Sequence, residues 1–434
     1  MMTSIMEAIF SLTLSPQNRP VNQYLPQSRC GKMPCFLDPE SIFLTKFTKD
    51  APIASVILES KRTIFVSAAE TSADAHGGRL IRYLREDAAD LRFVGLGGGQ
   101  MENEGCQLME NLVDRSAMLA HAFGQVGFYY KLLRRVKKQF HQDRPDLVVC
   151  IDSPAWNFNL AKTAHKLGIP VLYYIAPQLW AWGAWRIKKL RRNADKVACI
   201  LPFEQQWFTE RGVNAVYVGH PLFDDDQQIE AVETWQKDGE KFPTIALLPG
   251  SRNHEIKSLW PAMQQIALSI QEKFPNVRFL ACAADEEKIE TLKNNMHNQL
   301  SIDVKHTSIE ATVRYADLAL VASGTTTLEV AAQYCPMIIM YHVHPLQWHL
   351  VGRWVVKINY LSLVNILAQK ELVPEYMPFY RQEHQVAQTA LRLLANKDQL
   401  KKMRQDLKEL VKPIIQPGTA AKVAEIVKQM LPRY

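Results

Sequence analysis

The stretch DLALVASGTTTLEVAAQY, residues 317 to 334, runs from an apolar segment through a small hydroxyl-bearing turn into a helical pattern. DLALVA is the short continuous apolar run of a strand covered on both faces. TTLEVAAQY takes up helical spacing, and Ser323-Gly324-Thr325 turns the chain between the two. At such a junction the first helix amides lack partners and the dipole end is positive. Gly324 lets a ligand approach the backbone, and Ser323, Thr325 and Thr326 offer hydroxyls, so the turn suits a phosphate. Glu329, about one turn further in, suits two hydroxyls of a ribose. An ordinary N-cap followed by an acidic first turn accounts for the same residues equally well.

Outward from this unit the pattern repeats. From Thr63 short apolar runs alternate with amphipathic segments: TIFVSAAE, then DAHGGRLIRYLRE, then LRFVGLGG, and later DLVVCID, WNFNLAKTAHKLG and PVLYYIAP. After the acidic, polar stretch FDDDQQIEAVETWQKDGEKFP (223–243) the alternation restarts with TIALLPGSR, and it ends in VAQTALRLLANKDQLKKMRQDLKELV and AAKVAEIVKQML. Strands of four to seven residues separated by helices predict βαβ units and parallel sheets. The expectation is an α/β protein of two doubly wound, Rossmann-like domains facing a central cleft: 61–222 and 244–434, joined by a linker at 223–243. Residues 1–60 show no sustained period and read as a poorly ordered extension. The length of 434 residues fits two large units at about 150 or more residues each.

Composition narrows the class. With 47% hydrophobic and 22% charged residues the chain is globular rather than disordered or fibrous. No apolar run reaches the roughly 18 residues of a membrane span, and Glu7 interrupts an apolar start that no basic residue precedes, which argues against a signal peptide. The seven cysteines are odd in number and scattered, as in a reducing cytoplasm. The net charge of +7 is concentrated in YYKLLRRVKKQFHQ (129–142) and WRIKKLRR (185–192). Such pieces serve as solvated helix faces or as a surface meeting anionic headgroups. No nucleic-acid-binding module accompanies the charge, so nucleic acid is not expected as a partner.

Other strand ends carry candidate chemistry. LLPGSRNHEI (247–256) is a second strand, turn and helix start, and Arg252 projecting from it can grip a diphosphate bidentately. VVCIDSPAWN places Asp152 at the end of an apolar strand, where a carboxylate serves either as a general base or as a helix cap. SAAETSADAH puts Glu70 and Asp74 around a helix start, where capping alone also explains them. The histidines of HVHPLQWH (His342, His344, His349) lack the spacing of a metal site, and there is neither a P-loop nor a G-x-G-x-x-G. No metal and no cofactor are expected.

Taken together, AETSAD, RFVGLGG, MENEGC, DLVVCIDSPAWN, APQLWAW, LPFE, VGHPL, LLPGSR, LVASGTTTLE and YLSLVNILA (360–368) resemble the lipid-A-disaccharide synthase family, inverting glycosyltransferases of the GT-B fold, from about Thr63 to the C-terminus. The resemblance implies transfer of 2,3-diacylglucosamine from UDP onto 2,3-diacylglucosamine 1-phosphate, giving a β-1,6 disaccharide without a metal. It implies Asp152 as the base, Glu70 and Asp74 at the sugar, and Arg252, the Ser323-Gly324-Thr325 turn, Glu329 and Asn365 on UDP. It also implies work at the cytoplasmic face of the inner membrane, by a protein held there peripherally, and leaves a homodimer open. The rivals are another GT-B enzyme of UDP-sugars, such as an N-acetylglucosamine transferase or an epimerase, and a noncatalytic UDP-sugar or lipid binder.

The sequence departs from the family pattern in the first half. Ala69 and Ala73 stand where glycines are usual, Gly98-Gly99 where G-P is usual, Gly127 where a Glu is expected and Gly183 where an Arg is expected. These differences bear on acceptor identity and acyl-chain preference more than on UDP.

Overall fold

In the computed structural model, residues 62–88, 90–118, 122–181, 183–224, 242–341, 360–377 and 383–432 are described. The extension 1–60, most of the 223–243 stretch, the histidine cluster 342–349 and the run WHLVGRWVVK (348–357) lie outside the described residues.

The first sheet is built from β1 (Arg62–Ala68), β2 (Leu91–Gly97), β3 (Gln107–Asn111), β4 (Leu147–Ile151), β5 (Val171–Tyr174), β6 (Lys196–Cys199) and β7 (Ala215–Tyr217). Its helices are α1 (Thr71–Asp87), α2 (Gly99–Asn103), α3 (Leu112–Met118), α4 (Ala122–Gln142), α5 (Pro154–Lys166), α6 (Ile187–Asn193) and α7 (Pro202–Thr209). The strand order is β3-β2-β1-β4-β5-β6-β7, and every pairing is parallel. All five residues of LVVCI in β4 are buried, as expected of a central strand covered by helices on both faces.

The second sheet contains β8 (Thr244–Leu248), β9 (Arg278–Ala283), β10 (Ile302–His306), β11 (Leu318–Ala322), β12 (Met337–Met340) and β13 (Glu375–Tyr376). Its helices are α8 (Asn253–Lys273), α9 (Glu286–Asn294), α10 (Ile309–Val313), α11 (Thr326–Ala332), α12 (Leu363–Ala368), α13 (Glu383–Ala395) and α14 (Lys397–Val411). The order β10-β9-β8-β11-β12-β13 is again wholly parallel.

The two orders share one property. Connections run outward in one direction from β1 and in the other from β4, and likewise from β8 and from β11. Such a reversal leaves a crevice beyond the strand C-termini, where open α/β sheets bind ligands. Register locks the paired ends together, with Ala68 opposite Ile151 and Val321 opposite Leu248.

The final helix, α15 (Thr419–Met430), falls by sequence in 244–434 but packs on the first sheet. Its Val423, Ala424, Ile426 and Val427 join the core formed by α1 and by the α1-side faces of β1, β2 and β4. Asp224, directly after the first sheet, takes hydrogen bonds from the amides of Thr419 and Ala420 at the start of α15. A carboxylate there satisfies amides that have no partner within the helix.

Candidate active site

Asp152 follows β4 directly, and its backbone is strained. Its φ is 48° and that of Ser153 is 42°, in the left-handed region that non-glycine residues avoid. The surroundings hold it there. The Asp152 amide donates to the Tyr174 carbonyl at 3.0 Å. The Asp152 carbonyl accepts from Asn157 Nδ2 at 2.9 Å and from the Tyr173 hydroxyl at 2.8 Å. Asn157 is itself fixed, donating to the Ile151 carbonyl at 3.0 Å and accepting from Ser67 Oγ at 2.9 Å. Strain of this kind persists only where neighbours over-determine it, and it gathers at functional sites. The expected alternative, Asp152 as the helix cap, does not hold: Ser153 occupies the N-cap and α5 begins at Pro154.

Burial, reinforced by the neighbouring Glu70 carboxylate and opposed by the Ser153 amide, raises the Asp152 carboxyl to about 6. A carboxylate near neutrality is a competent general base. Glu70 stands at the N-cap of α1 but makes no cap bond, so it too is not consumed by capping.

Asp74 differs. It is buried, and its carboxylate accepts from the amides of Gly98, Gln100 and Met101 at 2.7, 2.9 and 3.2 Å. It therefore shapes the turn after β2 and caps α2 instead of presenting oxygens to a sugar. A Cβ at Gly98 would lie 2.7 Å from Asp74 Oδ2, so only glycine fits. The two alanines that replace family glycines point inward: Ala73 is 1% exposed and Ala69 7%, each in a core cluster. Gly183 has φ 72°, and a side chain there would lie 2.8 Å from Arg186 Nε. The guanidinium of Arg186 occupies the space beside it.

In the second sheet Arg252 ends the turn after β8. Gly250 has φ 98°, and a Cβ there would collide with the Glu255 carboxylate. Arg252 Nη1 lies 3.3 Å from Glu255 Oε1, with the Arg252 side chain 52% exposed. The next strand end over, Ser323 to Thr326, keeps its polar groups. The amide of Ser323 donates to the Met340 carbonyl at 3.0 Å, and Thr327 Oγ1, not Thr325, donates to the Gly324 carbonyl at 2.8 Å. Thr325 sits at the N-cap without a side-chain cap bond, so the ordinary-cap explanation fails here as well. Nothing lies within 4 Å of a Cβ built on Gly324. Glu329 is partly buried, and burial raises its carboxyl.

Asn365, which the resemblance sets on UDP, is wholly buried and spent on its own segment. Its Nδ2 donates to the Val373 carbonyl at 2.8 Å and to Glu375 Oε2 at 2.9 Å. Its Oδ1 accepts from the amides of Leu372 and Val373 at 2.8 and 3.0 Å. Asn365→Ala should therefore destabilise the fold by about 2 kcal/mol, since it orphans buried groups. The check is a lower urea midpoint at unchanged slope; unaltered stability together with lost UDP binding would make it a ligand contact after all.

Sequence reading missed Ser67, Asn157 and Tyr173, which hold Asp152 in place. A polar asparagine on the apolar side of α5 was the available signal. Among the described residues no three His, Cys, Asp or Glu gather as metal ligands would.

Comparison with known proteins places the chain. The profile described as Lipid-A-disaccharide synthetase matches residues 64–430. The lipid-A-disaccharide synthase of Syntrophus aciditrophicus is 33% identical over 371 residues, covering 84% of this chain and 97% of that protein. That of Neisseria meningitidis serogroup C is 34% identical over 360 residues, covering 80% and 92%. Among solved structures, UDP-GlcNAc 2-epimerase from Neisseria meningitidis bound to UDP-GlcNAc has a TM-score of 0.56 at 11% identity, covering 85% of this chain and all of that one. MurG from Acinetobacter baumannii has a TM-score of 0.52 at 16% identity, covering 85% and 99%. Likeness at such low identity shows the fold alone, here GT-B. The profile match over most of the length and the relatives above 30% identity show more: the chain is a glycosyltransferase that belongs to the lipid-A-disaccharide synthetase family.

Proposed function

We propose that this enzyme transfers 2,3-diacylglucosamine from UDP to the 6-hydroxyl of 2,3-diacylglucosamine 1-phosphate, with inversion, releasing UDP and the β-1,6 disaccharide 1-phosphate. Topology is the observation that carries the reading. Glu70 and Asp152 follow β1 and β4, the pair at which the first sheet reverses. Arg252 and the Ser323-Gly324-Thr325 turn follow β8 and β11, the corresponding pair in the second. In this proposal the two crevices face one central cleft, one holding the acceptor and the other the nucleotide.

Chemistry follows from that placement. The acceptor hydroxyl attacks the anomeric carbon, and its proton passes to the Asp152 carboxylate. The bond from that carbon to the β-phosphate oxygen breaks, and its electron pair leaves on UDP. Arg252 and the start of the long helix α8 stabilise the departing charge, and Glu329 takes the ribose hydroxyls. Asp74 and Asn365 act one step removed, by holding the turn after β2 and the 372–375 segment.

A lipid substrate also implies work at a membrane surface, the cytoplasmic face of the inner membrane. No described helix is long and apolar enough to cross a bilayer. Exposed Tyr130 and Trp185, set beside the exposed lysines of α4 and α6, suit peripheral contact with anionic headgroups.

Incubation of the purified protein with both substrates should yield disaccharide by mass spectrometry, with one UDP released per product. UDP-sugar isomerised without an acceptor would favour an epimerase; UDP bound with no turnover would favour a noncatalytic binder. Within the nucleotide site, Gly324→Ala should weaken UDP binding about tenfold by blocking close backbone approach while leaving the melting temperature unchanged, because its methyl meets open space. Calorimetric titration with UDP checks this, and undiminished affinity would move the phosphate elsewhere.

A further inference from the structure

We infer that the turn after β5, residues 175–181, is a wall of the acceptor pocket beside Asp152, and that Glu204 is the positioning residue that holds it. The inference rests on the acceptor assignment above and adds a part of the molecule that assignment does not use.

The turn starts next to the proposed base. Asp152 is bonded to Tyr173 and Tyr174, the last two residues of β5, so the chain leaving β5 departs beside it. It leaves through Ile175 at φ 60°, a costly conformation for a β-branched residue, fixed by a hydrogen bond that its amide donates to the Ala198 carbonyl at 3.1 Å. Asp152, Ser153 and Ile175 thus place three left-handed non-glycine residues at two adjacent strand ends. A single strained turn can be incidental; strain shared across neighbouring strand ends marks a corner whose shape is held against a cost.

Glu204 supplies the hold. It is fully buried, and its Oε1 accepts from the Trp180 indole N–H at 2.9 Å. Its Oε2 accepts from the amides of Leu201 and Ile200 at 3.0 and 3.2 Å. Burial lifts the carboxyl to about 7 although all three donors oppose it. Capping α7 alone needs no such burial, since an exposed cap residue does as much for a helix without desolvating a charge. What the buried carboxylate reaches in addition is Trp180, from a different strand end. Trp180 also packs edge-on against Phe203, with ring centroids 4.9 Å apart. Ala176, Pro177, Leu179 and Ala181 are buried, which leaves Ile175, Gln178 and Trp180, all partly exposed, as the side chains the turn can offer a sugar or its acyl chains.

Two variants test this. Trp180→Phe keeps a ring and deletes the N–H; Glu204→Gln keeps the shape and loses one acceptor. Affinity for 2,3-diacylglucosamine 1-phosphate in detergent micelles, affinity for UDP, and steady-state kinetics with each substrate varied are measured on the full chain. In Trp180→Phe, acceptor affinity and acceptor KM should each worsen about tenfold, with UDP affinity and donor KM unchanged, while the melting temperature falls by a few degrees because the buried Glu204 carboxylate loses one of its three donors. In acceptor affinity the double variant should lose no more than Glu204→Gln alone: with the glutamine oxygen held by the Leu201 and Ile200 amides its NH2 faces the indole, so both substitutions break the Trp180–Glu204 bond. Acceptor affinity unaltered in folded Trp180→Phe, a parallel fall in UDP affinity, or a wild type that does not bind the acceptor would each overturn the inference. A wild type that binds the acceptor yet makes no disaccharide would instead sink the proposed reaction, and the wall would still be judged by the affinity ratio.

Discussion

Asp152→Asn should lower turnover by about 10²–10⁴-fold, the usual worth of a positioned base, while UDP affinity stays at the wild-type value. Asparagine preserves the size of the side chain, and the backbone bonds that fix residue 152 come from its amide and carbonyl, which the substitution leaves in place. The wild-type rate should fall on the acid side with an apparent pKa of about 6, where the carboxyl takes up its proton, and the variant should lack that limb. Stability should move the opposite way or not at all. A carboxyl raised from 3.8 to about 6 in the fold favours folding while protonated, and that contribution is lost as pH rises through this interval. At about pH 8 the variant should therefore melt no earlier than wild type. Turnover within threefold of wild type would remove Asp152 from the chemistry; a collapsed melting temperature would make the loss one of folding.

Much of this architecture is legible in the residues. LVVCI and LALVA are apolar throughout because central parallel strands are covered on both faces, and that property shows in any reading of the chain. Strand ends were equally legible, since DSPAWN, PGSR and SGTT break the apolar run with the small or charged residues that a turn beyond a parallel sheet requires. What escaped is the use made of each polar atom. Asp74 bonds amides 24 to 27 positions away, and Asn365 bonds amides 7 and 8 positions on. Neither separation has a sequence period, so a carboxylate or amide spent on backbone looks the same as one left for a ligand. The path of α15 back to the first sheet is hidden for the same reason: its apolar stripe states that it packs, not against what.

Arg252→Ala should weaken UDP binding by about 2–3 kcal/mol, roughly 30- to 150-fold, as expected for a charged bidentate contact to phosphate. The pairing of Arg252 with Glu255 joins a half-exposed guanidinium to a buried carboxylate at 3.3 Å, and that carboxylate also accepts from the Arg252 amide, a bond that Arg252→Ala leaves in place. Arg252→Ala should stay folded with a melting temperature a few degrees below that of wild type, since the buried Glu255 carboxylate loses one partner and keeps the Arg252 amide. Lysine keeps the charge but not the planar fork, so Arg252→Lys should fall between the two. The fork matters because turnover needs more than ground-state binding: the phosphate oxygen gains charge only as the glycosidic bond breaks, and a donor aimed at that oxygen contributes more in the transition state than before it. Arg252→Ala should accordingly lose more in kcat/KM for the UDP-sugar than in affinity for UDP. Equal UDP affinity in variant and wild type by calorimetry would detach the nucleotide from the turn after β8. Losses equal in affinity and in kcat/KM would leave Arg252 a binding residue that takes no part in stabilising the leaving group.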